Sequence, residues 1–222
     1  MTNTNLSKSE ENYLKSIFHL SSDSEPGVST NSIADNLNTK ASSVTEMLKK
    51  LGEKHLIVYK KYHGAQLTEK GRKTALSIIR KHRLWEVFLV DKLNFKWDEV
   101  HDIAEQLEHI QSEKLTNELD KFLNFPTKDP HGDPIPNPAG FIKFTPKLKL
   151  SDLNIGETGK FIGVKDSSSA FLKYLDKRQI SLGSNIKVLH QEEFDQSLHI
   201  GLDETNLTVS IKTASNLYIT KI

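Results

Sequence analysis

Six of the seven prolines in this 222-residue chain fall between Pro126 and Pro146, and no other feature constrains the fold as much. Proline has no amide donor and a fixed φ. A stretch holding Pro126, Pro130, Pro134, Pro136, Pro138 and Pro146, with Gly132 and Gly140, therefore forms neither regular helix nor central strand. It reads as a linker. Before it the apolar spacing is mostly helical. After it come short alternating runs, Lys160–Val164, Asn185–Leu189, Leu207–Ile211 and Leu217–Ile222, which read as strands of a small barrel or sandwich. The expected class is mostly α with a β C-terminal domain, divided at residues 1–75, 76–147 and 148–222.

The first module opens with a helix over about residues 7–21, with Ser7 and Glu10 spaced as a capping box. Val28–Leu37 is a short helix capped near Ser29 or Thr30. Asn38–Lys40 is a tight turn. Ala41–Leu51 is a second helix whose Val44, Met47, Leu48 and Leu51 keep the helical period. Leu56–Lys61 and Ala65–Thr68 flank a turn at Gly64 as a two-stranded wing. Two short helices around a brief turn, followed by such a wing, form a winged helix-turn-helix. Its second helix is expected in the major groove, with Lys40, Ser42, Ser43, Thr45 and Glu46 at base edges. Lys49, Lys50, Lys60 and Lys61 are placed for phosphates. An ordinary helical hairpin with a solvated lysine face is the bland alternative. Charge supports the DNA reading weakly: residues 1–75 carry a net +3 and the remainder −2.

The next motif carries chemistry. His101, Glu105, Glu108 and His109 fall within about 100° of one helical face, a poor core and a good wall for a metal ion. His82 and Glu86, one turn apart, offer a second wall. Imidazole and carboxylate without sulfur suit divalent manganese, iron or zinc. The chain has no cysteine, which excludes disulfides and thiolate sites and is compatible with a cytosolic home. No run is long enough for a membrane helix, and the first residues lack the apolar segment of a secretory signal.

Ile33–Leu37, Ala41–Leu51, Leu67–Gly71, Arg80–Leu84, Val100–His109 and Asp129–Pro136, in this order, resemble the diphtheria-toxin-repressor and manganese-transport-regulator family of metal-dependent repressors. The resemblance covers the whole chain. It implies a winged helix, a helical dimerisation domain and a C-terminal SH3-like, FeoA-like barrel. It further implies a cytoplasmic homodimer that binds palindromic operator DNA when loaded with Mn(II) or Fe(II), with Zn(II) able to bind in vitro. The implied primary ligands are a first-helix residue with Glu105, Glu108 and His109. Glu105 stands where iron-type members have Cys, as in the manganese type. The first-helix position is Asn12 in place of Met or Asp, so either Asn12 or its neighbour Glu11 completes the set. A further acidic position of some manganese members is Lys15 here, which cannot ligate while charged. The implied second site is His82, Glu86 and His101, with Asp129, His131 and Asp166 as contributors in longer members. Two other functions stay open: a winged-helix regulator sensing an organic ligand, and a di-metal hydrolase.

Overall fold

A computed structural model describes residues 6–21, 27–60, 63–143, 146–203 and 205–222. Lys61, assigned to the wing above, lies outside the described residues. The chain divides into two compact units. One comprises residues 1–85, 105–119 and 136–142, the other 86–104, 120–135 and 143–222.

The first unit begins with α1 (Lys8–Leu20). The Ser7 hydroxyl accepts from the Glu10 N–H, and Glu10 returns a bond to the Ser7 N–H, the expected capping box. Next comes α2 (Thr30–Asn36), capped by the Ser29 side chain. Asn38, with φ 47°, turns the chain. In α3 (Ala41–Glu53) the side chains of Val44, Leu48 and Leu51 are buried. They pack with Leu14, Ile17, Ile33 and Leu56. The wing is β1 (Ile57–Lys60) paired antiparallel with β2 (Gly64–Leu67), Lys60 opposite Gly64. Then α4 (Glu69–Leu93) starts against the wing. A Cβ on Gly71 would lie 1.8 Å from the Leu56 carbonyl oxygen, so only glycine permits this approach. The 25 residues of α4 span about 37 Å.

Beyond α4 lie α5 (His101–Leu107) and α6 (Glu113–Phe122). The unit boundary falls inside both α4 and α5. The strand-rich tail holds β3 (Leu148–Lys149), β4 (Thr158–Val164), α7 (Ser169–Lys177), β5 (Asn185–Gln191), β6 (Leu198–Leu202), β7 (Thr205–Val209), α8 (Ile211–Ala214) and β8 (Leu217–Lys221). Its antiparallel sheet has the order β3-β8-β4-β5-β6-β7. Phe161, Leu172, Leu175, Ile186, Ile200 and Ile219 fill its core, and Trp97 packs against it. Three of the four expected strands form as expected. The run Leu207–Ile211 is different: it ends at Val209, because Ser210 accepts from the Thr213 N–H and starts α8.

The Pro-rich stretch is ordered by specific bonds. Ile135 N–H donates to Thr127 O at 2.9 Å, and Val164 N–H donates to His131 O at 3.1 Å. Gly132 has φ +88°, and a Cβ there would lie 2.0 Å from Ile162 O.

Candidate metal centre

In the first unit, residues from α1 meet residues at the end of α5. The helical stripe expected over residues 101–109 is cut short, because α5 ends at Leu107. Glu108 and His109 sit in the turn that follows. Glu108 is completely buried. Its Oε2 is 2.5 Å from His82 Nδ1, and its Oε1 and Oε2 are 2.8 and 2.9 Å from Lys15 Nζ. The same ammonium donates to Glu105 Oε2. Burial alone would raise the Glu108 carboxyl above its ordinary value. The His82 hydrogen bond and the Lys15 charge outweigh that and hold it below. His82, Glu105 and Glu108 donor atoms lie within 4.8 Å of one another.

Glu11, one turn before Lys15, faces His109. Its Oε2 is 2.5 Å from His109 Nδ1, and its Oε1 accepts from Gln111 Nε2 at 2.6 Å. Lys81 Nζ is 3.9 Å from Glu11 Oε1. Burial lowers the Lys81 ammonium below its ordinary value. Asn12 points elsewhere. It lines a cleft with Ser9, Tyr13, Ser43, Glu46 and Lys50, and its buried Oδ1 has no hydrogen-bond partner among the described residues. Of the two first-helix alternatives, it is Glu11 that reaches His109.

In the second unit, Glu86, Asp129 and His131 are buried and bring one donor atom each within 4.8 Å of the others. Glu86 Oε2 is 3.6 Å from His131 Nδ1, and Glu86 Oε1 is 3.6 Å from His101 Nδ1. Asp129 Oδ1 accepts the N–H groups of His131 and Asp133 at 2.8 and 3.0 Å. His131 Nε2 lies 2.8 Å from the Trp97 carbonyl oxygen, which can only accept, so Nε2 carries a hydrogen and Nδ1 turns towards Glu86. Burial works against an imidazolium here. The bond and charge of Glu86, then Asp129 and the Trp97 carbonyl, outweigh it and bring His131 to about 9. Asp166 lies two residues beyond Val164, which bonds the His131 backbone. Its Oδ1 accepts from the Ser168 N–H at 2.9 Å, and it joins no donor group of three among the described residues.

The expected DNA face is largely a solvent face. Lys40, Ser42, Ser43, Glu46, Lys49, Lys50 and Lys60 are exposed. Thr45 is half-buried and its hydroxyl donates to Ala41 O at 3.0 Å. Lys50 Nζ is 3.4 Å from Glu10 Oε1.

A winged helix, a helical module bearing His and carboxylate donors and a small β domain together define a class of metal-binding repressors. The chain belongs to the iron-dependent repressor family. Residues 5–65 match the iron-dependent repressor N-terminal DNA-binding domain, residues 68–137 its metal-binding and dimerisation domain, and residues 148–221 the FeoA domain. The chain is 38% identical over 128 residues to the iron-dependent repressor IdeR of Mycobacterium tuberculosis, covering 57% of this chain and 54% of that one. It thus spans about half the length of that relative. With IdeR of Mycobacterium leprae it shares 33% identity over 181 residues, 81% of this chain and 69% of the other. A solved manganese-dependent transcriptional repressor in complex with manganese is 35% identical, with TM-score 0.86, over 96% of this chain and all of that one.

The donor group of the first unit and the Glu86–Asp129–His131 group of the second differ in their fit to an ion. Glu86, Asp129 and His131 fit: two carboxylates and an imidazole converge in a buried site, and the imidazole is oriented by a backbone carbonyl, as metal-ligating histidines are. Glu105 and Glu108 have suitable oxygens, but Lys15 already takes them, so as arranged this group does not fit an ion.

Proposed function

We propose that this protein is a metal-dependent transcriptional repressor that binds palindromic operator DNA as a homodimer when loaded with Mn(II) or Fe(II). It acts in the cytoplasm on genes of metal homeostasis and is not an enzyme. The observation that carries the reading is the buried Glu86–Asp129–His131 group in a chain with an exposed recognition helix. Its oxygen and nitrogen donors favour hard divalent ions. A bound ion would place positive charge beside two buried carboxylates. The Asp133 and His131 amides hold the Asp129 carboxylate in place. The Trp97 carbonyl fixes the His131 ring with Nδ1 towards the site. Glu86 is the donor supplied by α4.

On DNA, Ser42, Ser43 and Glu46 of α3 would face base edges, with Lys40, Lys49, Lys50 and Lys60 at phosphates. Two recognition helices must stand about 34 Å apart to read a palindrome together. A homodimer would supply the pair. Exposed Leu93, Phe122 and Phe125 give the second unit an apolar surface that a second copy can cover.

The test is fluorescence anisotropy with DNA from the region upstream of the protein's own coding sequence. Chelator, Mn(II), anaerobic Fe(II) and Zn(II) are compared in parallel. Tightening of ten-fold or more, about 1.4 kcal/mol of coupling, is expected with Mn(II) or Fe(II). Tight binding indifferent to metal would leave a DNA-binding protein without a metal switch. Turnover of phosphoester substrates with Mn(II) would overturn the non-enzymatic assignment.

A further inference from the structure

Lys15 places a permanent cation where the resemblance leads one to expect a metal ion. An ammonium has three N–H donors. Here they meet three carboxylate oxygens, Glu105 Oε2, Glu108 Oε1 and Glu108 Oε2. Glu108 is fully buried and the Lys15 side chain is only 16% exposed, so this is not a surface ion pair weakened by solvent. Removing one member of such a group leaves the other buried charges without compensation, at a large cost. The same oxygens are the ones that would join His82 Nδ1 in holding an ion. A divalent ion there would have to displace Lys15 and then lie close to it in a poorly solvated pocket, where like charges repel strongly. The second group, Glu86, Asp129 and His131, brings two carboxylates and an imidazole together.

We infer that Lys15 is a built-in counter-cation that replaces a metal ion between Glu105 and Glu108, so that each chain takes up one divalent ion tightly, at Glu86–Asp129–His131, and not two. This rests on the metal-binding reading above. One consequence concerns α1. Its attachment to the 105–109 segment is made by the Lys15 ammonium and by the Glu11–His109 pair, bonds that need no bridging ion.

The experiment is equilibrium dialysis of the full-length protein against Mn(II), with metal counted per chain, together with thermal unfolding in chelator. Wild type should bind one ion per chain. Lys15→Ala should bind two, and in chelator it should unfold at a lower temperature that added Mn(II) restores. Lys15→Arg, which keeps the cation, should bind one. Glu86→Gln in an otherwise unaltered chain should bind none tightly, a measurement that does not depend on the Lys15 variants folding. Two tightly bound ions in wild type, or undiminished binding by Glu86→Gln, overturns the inference. So does Lys15→Ala with wild-type stoichiometry. If wild type binds no ion but Lys15→Ala binds one, the role of Lys15 stands and the Glu86 centre falls.

Discussion

Glu11 Oε2 and His109 Nδ1 lie 2.5 Å apart although 98 positions separate them in the chain. With the Gln111 amide on its other oxygen, Glu11 fastens the first helix of the winged domain to the turn after α5. Both partners are nearly inaccessible, at 4% and 8% of side-chain surface.

Glu11→Ala should therefore cost about 2–4 kcal/mol of stability, since it takes the carboxylate from the buried His109 ring and the buried Lys81 ammonium. Urea unfolding in chelator measures it. Glu53→Ala, at an exposed position of α3, should stay within about 0.5 kcal/mol. Equal effects would remove the special standing of Glu11.

Gly132 and Gly140 separate backbone strain from lack of space. Both have positive φ, +88° and +79°. A Cβ on Gly132 would lie 2.0 Å from a backbone oxygen, whereas the nearest atom to one on Gly140 is a lysine side-chain carbon at 3.8 Å. Gly140→Ala should cost about 1 kcal/mol. Gly132→Ala should cost well above that, about 3 kcal/mol or more, because the backbone itself has to move. Thermal unfolding of the two variants ranks them.

Acid should loosen the winged helix through Glu10. Burial would raise its carboxyl. The Lys54 hydrogen bond, the Ser7 N–H and the charges of Lys54 and Lys50 outweigh this and lower it from 4.5 to about 2. A depressed folded-state value means the stabilisation is fully present above about pH 4.5 and is lost as pH falls towards 2. Its size is on the order of 2–3 kcal/mol. Glu10→Gln should lose most of that at neutral pH and show a flatter stability profile between pH 5 and 2 than wild type, followed by circular dichroism.

Lys40 precedes α3 as its N-cap residue, and its side chain makes no capping bond. Lys40→Ala should weaken DNA binding across sequences and reduce the salt slope by about one. Mn(II) affinity without DNA should not change. Anisotropy at several salt concentrations, with dialysis for the metal, separates the two. A parallel loss of metal affinity would remove Lys40 from the DNA face.

Much of this was legible because it is local. Ser7 and Glu10 announce a helix start, and the structure has both capping bonds. Val44, Leu48 and Leu51 mark the buried side of the recognition helix. In the tail, α7 is hidden inside a strand-rich pattern, although Ser168 caps it and Leu172 and Leu175 carry its period. The alternation of Leu198, Ile200 and Leu202 was an equally available sign of β6. The stripe from His101 to His109 is helical only as far as Leu107, because a period of 3.6 does not say where a helix stops. Once α5 ends at Leu107, Glu108 and His109 turn to partners on α4 and α1. In the sequence Lys15 marks only a missing ligand. That its ammonium takes the carboxylates' oxygens needed the fold.

By itself the sequence determined the winged helix, the helical donor-bearing module, the strand-rich tail and the residue types able to hold a metal. These follow from capping, periodicity and proline placement, which act over a few residues. Only the tertiary structure decided which donors share a site. Glu86, Asp129 and His131 converge, while Glu105 and Glu108 meet Lys15 and Glu11 meets His109. Such pairings join positions some 40 to 100 residues apart. They are fixed by the burial of charge, which requires each carboxylate to find a cation or donor wherever the packed chain brings one.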